Sequence, residues 1–431
     1  MSKFLNSLVV GLDVAADFSF AAILTPDGSL YRKPFKVNHD ADSLRKFAAE
    51  IQKVEKLFST KAFLFMESTG IYHLPLFHFL KDIKFEVFVL NPLITHSNRN
   101  NDIRKVKNDK KDAIAIAKLV KYQDVKFSTN AEPALFTLRS LCRQYYSFVD
   151  SRIAYKIKLS NELHISFPGY HTVFADITGN TSMAILNSYP SPKSILDAPK
   201  ETLISLIQES SKKGVAWATA KYSKLIDAAT NALSLGLKHL ASETLIKCHL
   251  NLIKEFNTQI AALLMEIESF VLSGEFPLQA KKNLKLLLSI TGVGFISAVT
   301  ILSEIGNFDE FSKPKQLVAF FGVDPAVNES GKFKGDKVKM SKRGTRYGRR
   351  ALYAVALACI RKKRNGMPNN PVLFQCYQKK SDSKKKKVAI GAIMHKILNY
   401  IFAVLRNQTP YELRSPEAHV STHFEIQSIA T

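Results

Sequence analysis

The chain is short of acid. Its 431 residues carry 37 Asp and Glu against 61 Lys and Arg, a formal net charge of +24, which exceeds what solubility requires and points to a polyanionic partner, nucleic acid first. Cysteine is scarce as well. Cys142, Cys248, Cys359 and Cys376 stand far apart, with no CxxC pair and no flanking His cluster. That spacing excludes a disulfide framework and an ordinary zinc site, and it predicts four reduced, buried thiols. Long apolar runs are missing too: none approaches the ~18–20 uninterrupted residues of a membrane span. Met1 to Val10 lacks the apolar core and small-residue cleavage site of a signal peptide. The expectation is a cytoplasmic protein with no membrane partner.

What is present is enough chain for two or three domains, at ~100–200 residues each. Leu8–Val14, Phe18–Leu24, a Pro26-Asp27-Gly28 turn and Leu30–Val37 read as an antiparallel meander. An amphipathic helix from Asp42 to Leu57 follows, then a short apolar strand, Ala62–Met66, ending on Glu67. A helix near Leu74–Leu80 and a strand Phe85–Leu90, closed by Asn91-Pro92, complete the series. Three antiparallel strands followed by alternating helices and strands is the element order of an α/β ribonuclease H-like domain, here residues 1–130. Residues 131–283 read as a helical, coiled-coil middle: Ile246, Leu250, Ile253, Asn257, Ile260, Leu264, Ile267 and Val271 alternate spacings of four and three. This seam fits a helical hairpin, a dimer contact, or an ordinary amphipathic helix. Phe167–Pro199, rich in Pro and Gly, is expected as a loop-rich insertion. Residues 284–408 form a mainly α C-terminal domain, and 409–431 a disordered tail.

Four acids are placed to hold metal. Asp13 lies within an apolar first strand, where a charge is costly without a partner. Glu67 ends a central strand. Asp109 and Asp112 are three apart at the start of a helix, so they share a face. Helix capping also accounts for these last two, since an acid at the N-cap and another three on approximate a capping box. Two-metal phosphodiester chemistry needs such converging carboxylates.

Gly11-Leu12-Asp13-Val14, Glu67-Ser68-Thr69-Gly70 and Asn108-Asp109-Lys110-Lys111-Asp112-Ala113 resemble the three acidic blocks of the insertion-sequence 110 family of transposases, and the resemblance extends into the C-terminal region. It implies a RuvC-like domain in which Asp13, Glu67, Asp109 and Asp112 bind one or two Mg²⁺ ions. It also implies a bacterial, nucleoid-associated enzyme.

In the C-terminal region, Ser289-Ile290-Thr291-Gly292-Val293-Gly294 opens a helix and resembles a helix-hairpin-helix element. Gly292 and Gly294 would let backbone approach a phosphate, although a plain helix-entry turn has the same pattern. Glu329–Arg364 holds 13 Lys and Arg and 2 acids. Within it, Ser341 sits beside Lys342, Arg343 and Arg346. By chemistry alone its hydroxyl could attack phosphorus, or it could cap the next helix while the cations touch backbone phosphates. The family resemblance favours the first, a transient phosphoserine link. Arg346, Arg349 and Arg350 are read as phosphate contacts, and Lys384–Lys387 as a solvated, non-specific patch.

The implied activity is recombination of an insertion element by a metal-assisted serine nucleophile acting on donor and target DNA. An element-encoded non-coding RNA supplies pairing, and a homo-oligomer (dimer or tetramer) brings two DNA partners together. A site-specific invertase of the same build, a Holliday-junction nuclease with Ser341 idle, and a decayed element protein that only binds nucleic acid are the alternatives.

Overall fold

The computed structural model describes residues 2–67, 71–90, 108–125, 127–128, 133–236, 241–326, 329–330, 333–334, 339–414 and 418. It divides into two compact units, Met1–Glu132 and Pro133–Thr431. Helices predominate, with a mixed sheet confined to the first unit and a two-stranded ribbon in the second.

In the first unit β1 (Leu8–Val14), β2 (Phe18–Leu24) and β3 (Phe35–Asn38) form the antiparallel meander. After α1 (Ala41–Phe58), β4 (Ala62–Glu67) returns parallel to β1. After α2 (His73–Asp82), β5 (Glu86–Leu90) runs parallel to β4. Helix α3 (Asp109–Tyr122) precedes β6 (Phe127–Ser128), which pairs antiparallel to β5 and completes the order β3-β2-β1-β4-β5-β6. The turns read at Ser68–Gly70 and Asn91-Pro92 lie outside the described residues.

The period of two sorts the side chains to the two faces. Leu8, Val10, Leu12 and Val14 pack with Leu64 and Met66 against the stripe Leu44, Phe47, Ile51 and Val54 of α1. That helix starts at Asp40, whose carboxylate accepts from the Ser43 N–H at 2.8 Å. The alternate residues Val9 and Phe65 face the other way, onto Ile116, Ala117 and Val120 of α3. Odd-numbered residues of β1 and β4 therefore lie under α3.

In the second unit α4 (Pro133–Ser166) and α10 (Ser242–Leu272) pair along their length. Phe148 and Tyr155 both meet Phe256, and Tyr155 meets His249, so the pair is antiparallel. Ile246, Leu250, Ile253, Ile260, Ile267 and Val271 are buried, and Asn257 accepts from Arg152 at 2.8 Å. The seam is thus occupied within one chain.

Between these helices the structure differs from expectation. Instead of a loop-rich insertion, the chain forms α5 (Tyr170–Val173), α6 (Asn180–Ser188), α7 (Pro192–Leu196), α8 (Lys200–Ser211) and α9 (Val215–Ser234) around a core of Phe167, Tyr170, Ile185, Leu203 and Leu225. The residues that looked like breakers are starts. Gly169, Gly179 and Pro199 are N-caps, and Pro192 occupies the first turn behind a Ser191 capping box. Proline is tolerated there because the missing N–H would have had no helical partner.

The remaining elements are α11 (Leu278–Ser289), α12 (Phe295–Ile305), α13 (Pro314–Phe320), β7 (Glu329–Ser330), β8 (Phe333–Lys334), α14 (Arg346–Ile360), α15 (Pro371–Ser381) and α16 (Lys386–Asn407). Helix α16 is the one among the described residues long and apolar enough to cross a membrane. Its apolar face, including Ile393, Ile397, Leu398 and Ile401, is buried within the unit against α11, α13, α14 and α15. Of the expected tail, 409–414 and 418 are described and the rest lies outside the described residues. Tyr411 is tied down: its N–H donates to Ser289 Oγ at 2.8 Å and its ring meets Tyr400.

Candidate metal centre and serine loop

The acidic centre is assembled by β1 and α3. Asp13 points to the α3 side of the sheet, and α3 begins above it. The ligand oxygens of Asp13, Asp109 and Asp112 lie within 4.8 Å of one another. Glycine makes this approach possible. A Cβ on Gly11 would lie 2.2 Å from the Ala113 carbonyl oxygen and 2.7 Å from the Ala117 nitrogen, so the backbone of α3 rests directly on β1. Ala113 and Ala117 are the fully buried small residues of the opposing face.

Capping does not account for Asp109. The N-cap is Asn108, whose side chain accepts from the Lys110 N–H at 3.0 Å. Asp109 and Asp112 occupy the first and fourth helical positions, one turn apart on one face. Three carboxylates this close repel by about 3 kcal/mol per pair at an effective dielectric of ~20, so the cluster is favourable where positive charge is drawn in. All donors are hard carboxylate oxygens, the set that suits Mg²⁺. Glu67 is not in this group. Leu12 pairs with Met66 in the parallel register, which makes Asp13 and Glu67 the next neighbours along the strands, on the same face.

The predicted serine loop lies in the second unit, where segments 320–326 and 339–345 run side by side. Ser341 N–H donates to the Asp324 carbonyl at 2.9 Å, Lys342 N–H to the Gly322 carbonyl at 3.1 Å, and Pro325 bridges Met340. Side-chain-free positions let the backbones touch: a Cβ on Gly322 would lie 2.6 Å from the Gly344 nitrogen, and one on Gly344 1.8 Å from the Phe320 oxygen. Ser341 does not cap α14. Thr345 does, accepting from the Gly348 N–H at 3.2 Å. The Ser341 hydroxyl instead donates to Asp324 Oδ1 at 2.5 Å. Lys342, in the left-handed region at φ 54°, and Arg343 are exposed beside it.

The three arginines of α14 have separate fates. Arg346 is exposed, bonded to the Tyr347 hydroxyl at 2.8 Å. Arg349 turns inward and donates from Nη1 to the carbonyls of Phe321 at 3.1 Å and Gly344 at 2.7 Å. Arg350 lies over the Tyr146 ring and pairs with Asp150 at 2.7 Å. The glycines of the α11–α12 turn also divide. Gly292, at φ 97°, is packed so that a Cβ would fall 2.5 Å from Cys359 Sγ. Burial pushes that thiol up to about 12. Cys142 is buried as well, but the expectation of four buried thiols does not hold: Cys376 is half-buried, and Cys248 is exposed because it stands off the Ile246, Leu250 and Ile253 stripe of α10. Gly294, the N-cap of α12, has open space where its Cβ would be.

Residues 10–168 match a family model described as a transposase, of the DEDD group of IS110, and residues 284–369 match the model described as transposase IS116/IS110/IS902 family. The chain belongs to the IS110 family of transposases. Among relatives of this family member is the Coxiella burnetii transposase for insertion sequence element IS1111A, 27% identical over 133 residues, covering 31% of this chain and 35% of the relative. The uncharacterized 43.6 kDa protein of insertion element IS110 from Streptomyces coelicolor is 26% identical, over 32% of this chain and 33% of its own. The pilin gene-inverting protein of Moraxella bovis is 29% identical, over 31% of this chain and 39% of the relative. The chain thus spans about a third of the length of the curated relatives it matches.

Two residues that the sequence reading gave no role stand at these sites in this family member. Gly11 lies two residues before Asp13 in the first strand, and a glycine within a strand pattern is itself a signal of close backbone approach. Asp324, in Gly322-Val323-Asp324-Pro325, offered no local signal, because its partner lies 17 residues on.

Proposed function

We propose that this protein is a DNA recombinase of an insertion element, cutting and exchanging strands by phosphodiester transesterification. The convergence of Asp13, Asp109 and Asp112 carries the reading, since three hard donors at one helix start and one strand have a ready use in holding a divalent cation at a phosphate. Glu67, next in register to Asp13, completes the ligand set. The strand order with antiparallel β1–β3 and parallel β4 and β5 supports a ribonuclease H-like, RuvC-like first domain, and the α11–α12 turn supports a helix-hairpin-helix element with Gly294 at the phosphate. We take 131–283 as the helical middle and 284–408 as the domain of the serine.

One or two Mg²⁺ ions held by the four carboxylates would withdraw charge from the phosphate and from the leaving oxygen. The chain's own part is to supply the nucleophile and hold the phosphate. Ser341 offers the hydroxyl, and the exposed cations Lys342, Arg343 and Arg346 grip phosphate oxygens. An element-encoded non-coding RNA pairing with donor and target DNA fits the excess positive charge, with the protein reading backbone shape and base pairing reading sequence. Strand exchange calls for a homo-oligomer, acting in the cytoplasm on nucleoid DNA. A second reading, a site-specific invertase, is favoured by the likeness to the protein named for pilin gene inversion.

A suicide DNA substrate tests the chemistry. The parent protein is expected to form a covalent adduct in Mg²⁺, Ser341→Ala to form none, and Asp109→Asn to lose the Mg²⁺ dependence along with most of the adduct. Adduct-free cutting that survives Ser341→Ala would establish a water-activating nuclease instead.

A further inference from the structure

Resting on that serine reading, we infer that Asp324 is the general base for Ser341. The two side chains are joined directly, Oγ to Oδ1, which is the reach a nucleophile and its base require. The pair is also held by main chain, which leaves little freedom to lose. The backbone of the same two residues is bonded, Ser341 N–H to Asp324 carbonyl, and the adjoining residues close a second bond from Lys342 to Gly322. Pro325 follows the aspartate and restricts its backbone to extended conformations. Gly322 and Gly344 bring the two segments into van der Waals contact. Arg349 then ties Phe321 to Gly344 from below. Both Ser341 and Asp324 remain partly exposed, so a phosphate can reach the hydroxyl.

The step balances within the groups named. As the bond from Ser341 Oγ to phosphorus forms, the hydroxyl proton passes to Asp324 Oδ1. The bond from phosphorus to the leaving sugar oxygen breaks with its electron pair on that oxygen, which takes a proton from solvent water. In the reverse, rejoining step a sugar hydroxyl attacks, its proton passes to solvent, and Asp324 returns the proton to the departing serine oxygen. Lys342 and Arg343, next in the chain and exposed, are left to the phosphate.

The experiment measures adduct formation on the suicide substrate, with DNA binding and melting temperature recorded beside it. Asp324→Asn keeps the size and backbone bonds of the residue but cannot take a proton; its adduct rate is expected to fall about 10²-fold while DNA binding is retained. In Asp324→Ala, added formate is expected to restore part of the rate, because a small carboxylate in the vacated space can accept the proton. Formate has no such effect on a residue that merely shapes the turn. An Asp324→Asn rate within a few-fold of the parent, or an Asp324→Ala variant indifferent to formate, would overturn the assignment. A parent that forms no adduct, or an adduct that survives Ser341→Ala, overturns the serine reading and this inference with it.

Discussion

At Gly11 the missing side chain is a structural requirement for the acidic centre. Asp13 is fixed by the sheet and Asp109 and Asp112 by α3, and their oxygens converge only because the helix backbone sits on β1 where a methyl group would lie 2.2 Å from a carbonyl oxygen. Gly11→Ala must push α3 away, at a cost of about 1–3 kcal/mol for overpacking a tight site. The displacement also parts the carboxylates. Thermal unfolding with and without Mg²⁺ checks this: the parent should gain stability from the ion, as any ligand of the native state confers, and the variant should melt lower and gain little. A Gly11→Ala protein with the parent's full Mg²⁺ response would show that the close contact does not set the site. Asp13 and Glu67 were legible in the sequence as charges at strand positions. Asp109 and Asp112 were singled out by the family resemblance against a capping alternative, and the structure bears on that alternative alone: Asn108 is the cap.

Elements show how one helix can carry opposed tasks. Helix α14 presents Arg346 outward and Arg349 inward, a distinction that the sequence, reading three arginines in five positions as one basic cluster, does not draw. Arg349→Ala should therefore act as a stability variant, losing charged hydrogen bonds worth about 1.5–3 kcal/mol each, with a lower midpoint in chemical denaturation. Arg346→Ala should leave the midpoint unchanged, weaken DNA binding across sequences, and reduce the slope of log affinity on log salt by about 1. Equal effects of the two substitutions on stability would contradict this division of the helix. The α4–α10 pair carries a related lesson. Spacings of four and three identify a seam, but spacing alone does not say which helix fills it, and here the partner lies about a hundred residues earlier in the same chain. The Pro- and Gly-rich stretch from Phe167 was misleading for a local reason: the same residues stop one helix and start the next.

For the whole molecule, titration of partly buried histidines sets a prediction for acid stability. Burial lowers His39, His171 and His249 below the ordinary imidazole value of 6.5, and His171 is also stacked on His164 with ring centroids 4.1 Å apart. The folded chain therefore binds fewer protons than the unfolded chain around that pH. Stability is fully present above 6.5 and declines as pH falls through it toward the lowered folded values. The melting temperature should drop on acidification across this window, and His171→Gln should lessen the drop. A melting temperature flat through that range would mean that these rings do not govern the acid response.

By itself the sequence determined the composition-level facts and the local ones: an excess of 24 positive charges, the order of strands and helices at the N-terminus, the apolar stripes, and the positions of candidate acids and serine. These depend on residue type and on periods of 2 and 3.6, which a linear chain displays. Tertiary structure decided which groups meet. It brought Asp109 and Asp112 to Asp13 through a helix resting on a glycine, gave the capping tasks to Asn108 and Thr345, turned Arg349 inward, and placed Asp324 against Ser341. Each of these is a contact between segments distant in sequence or a choice among rotamers. The physical reason is the same throughout: packing sets distance and direction in three dimensions, and neither is written in the spacing of residues along the chain.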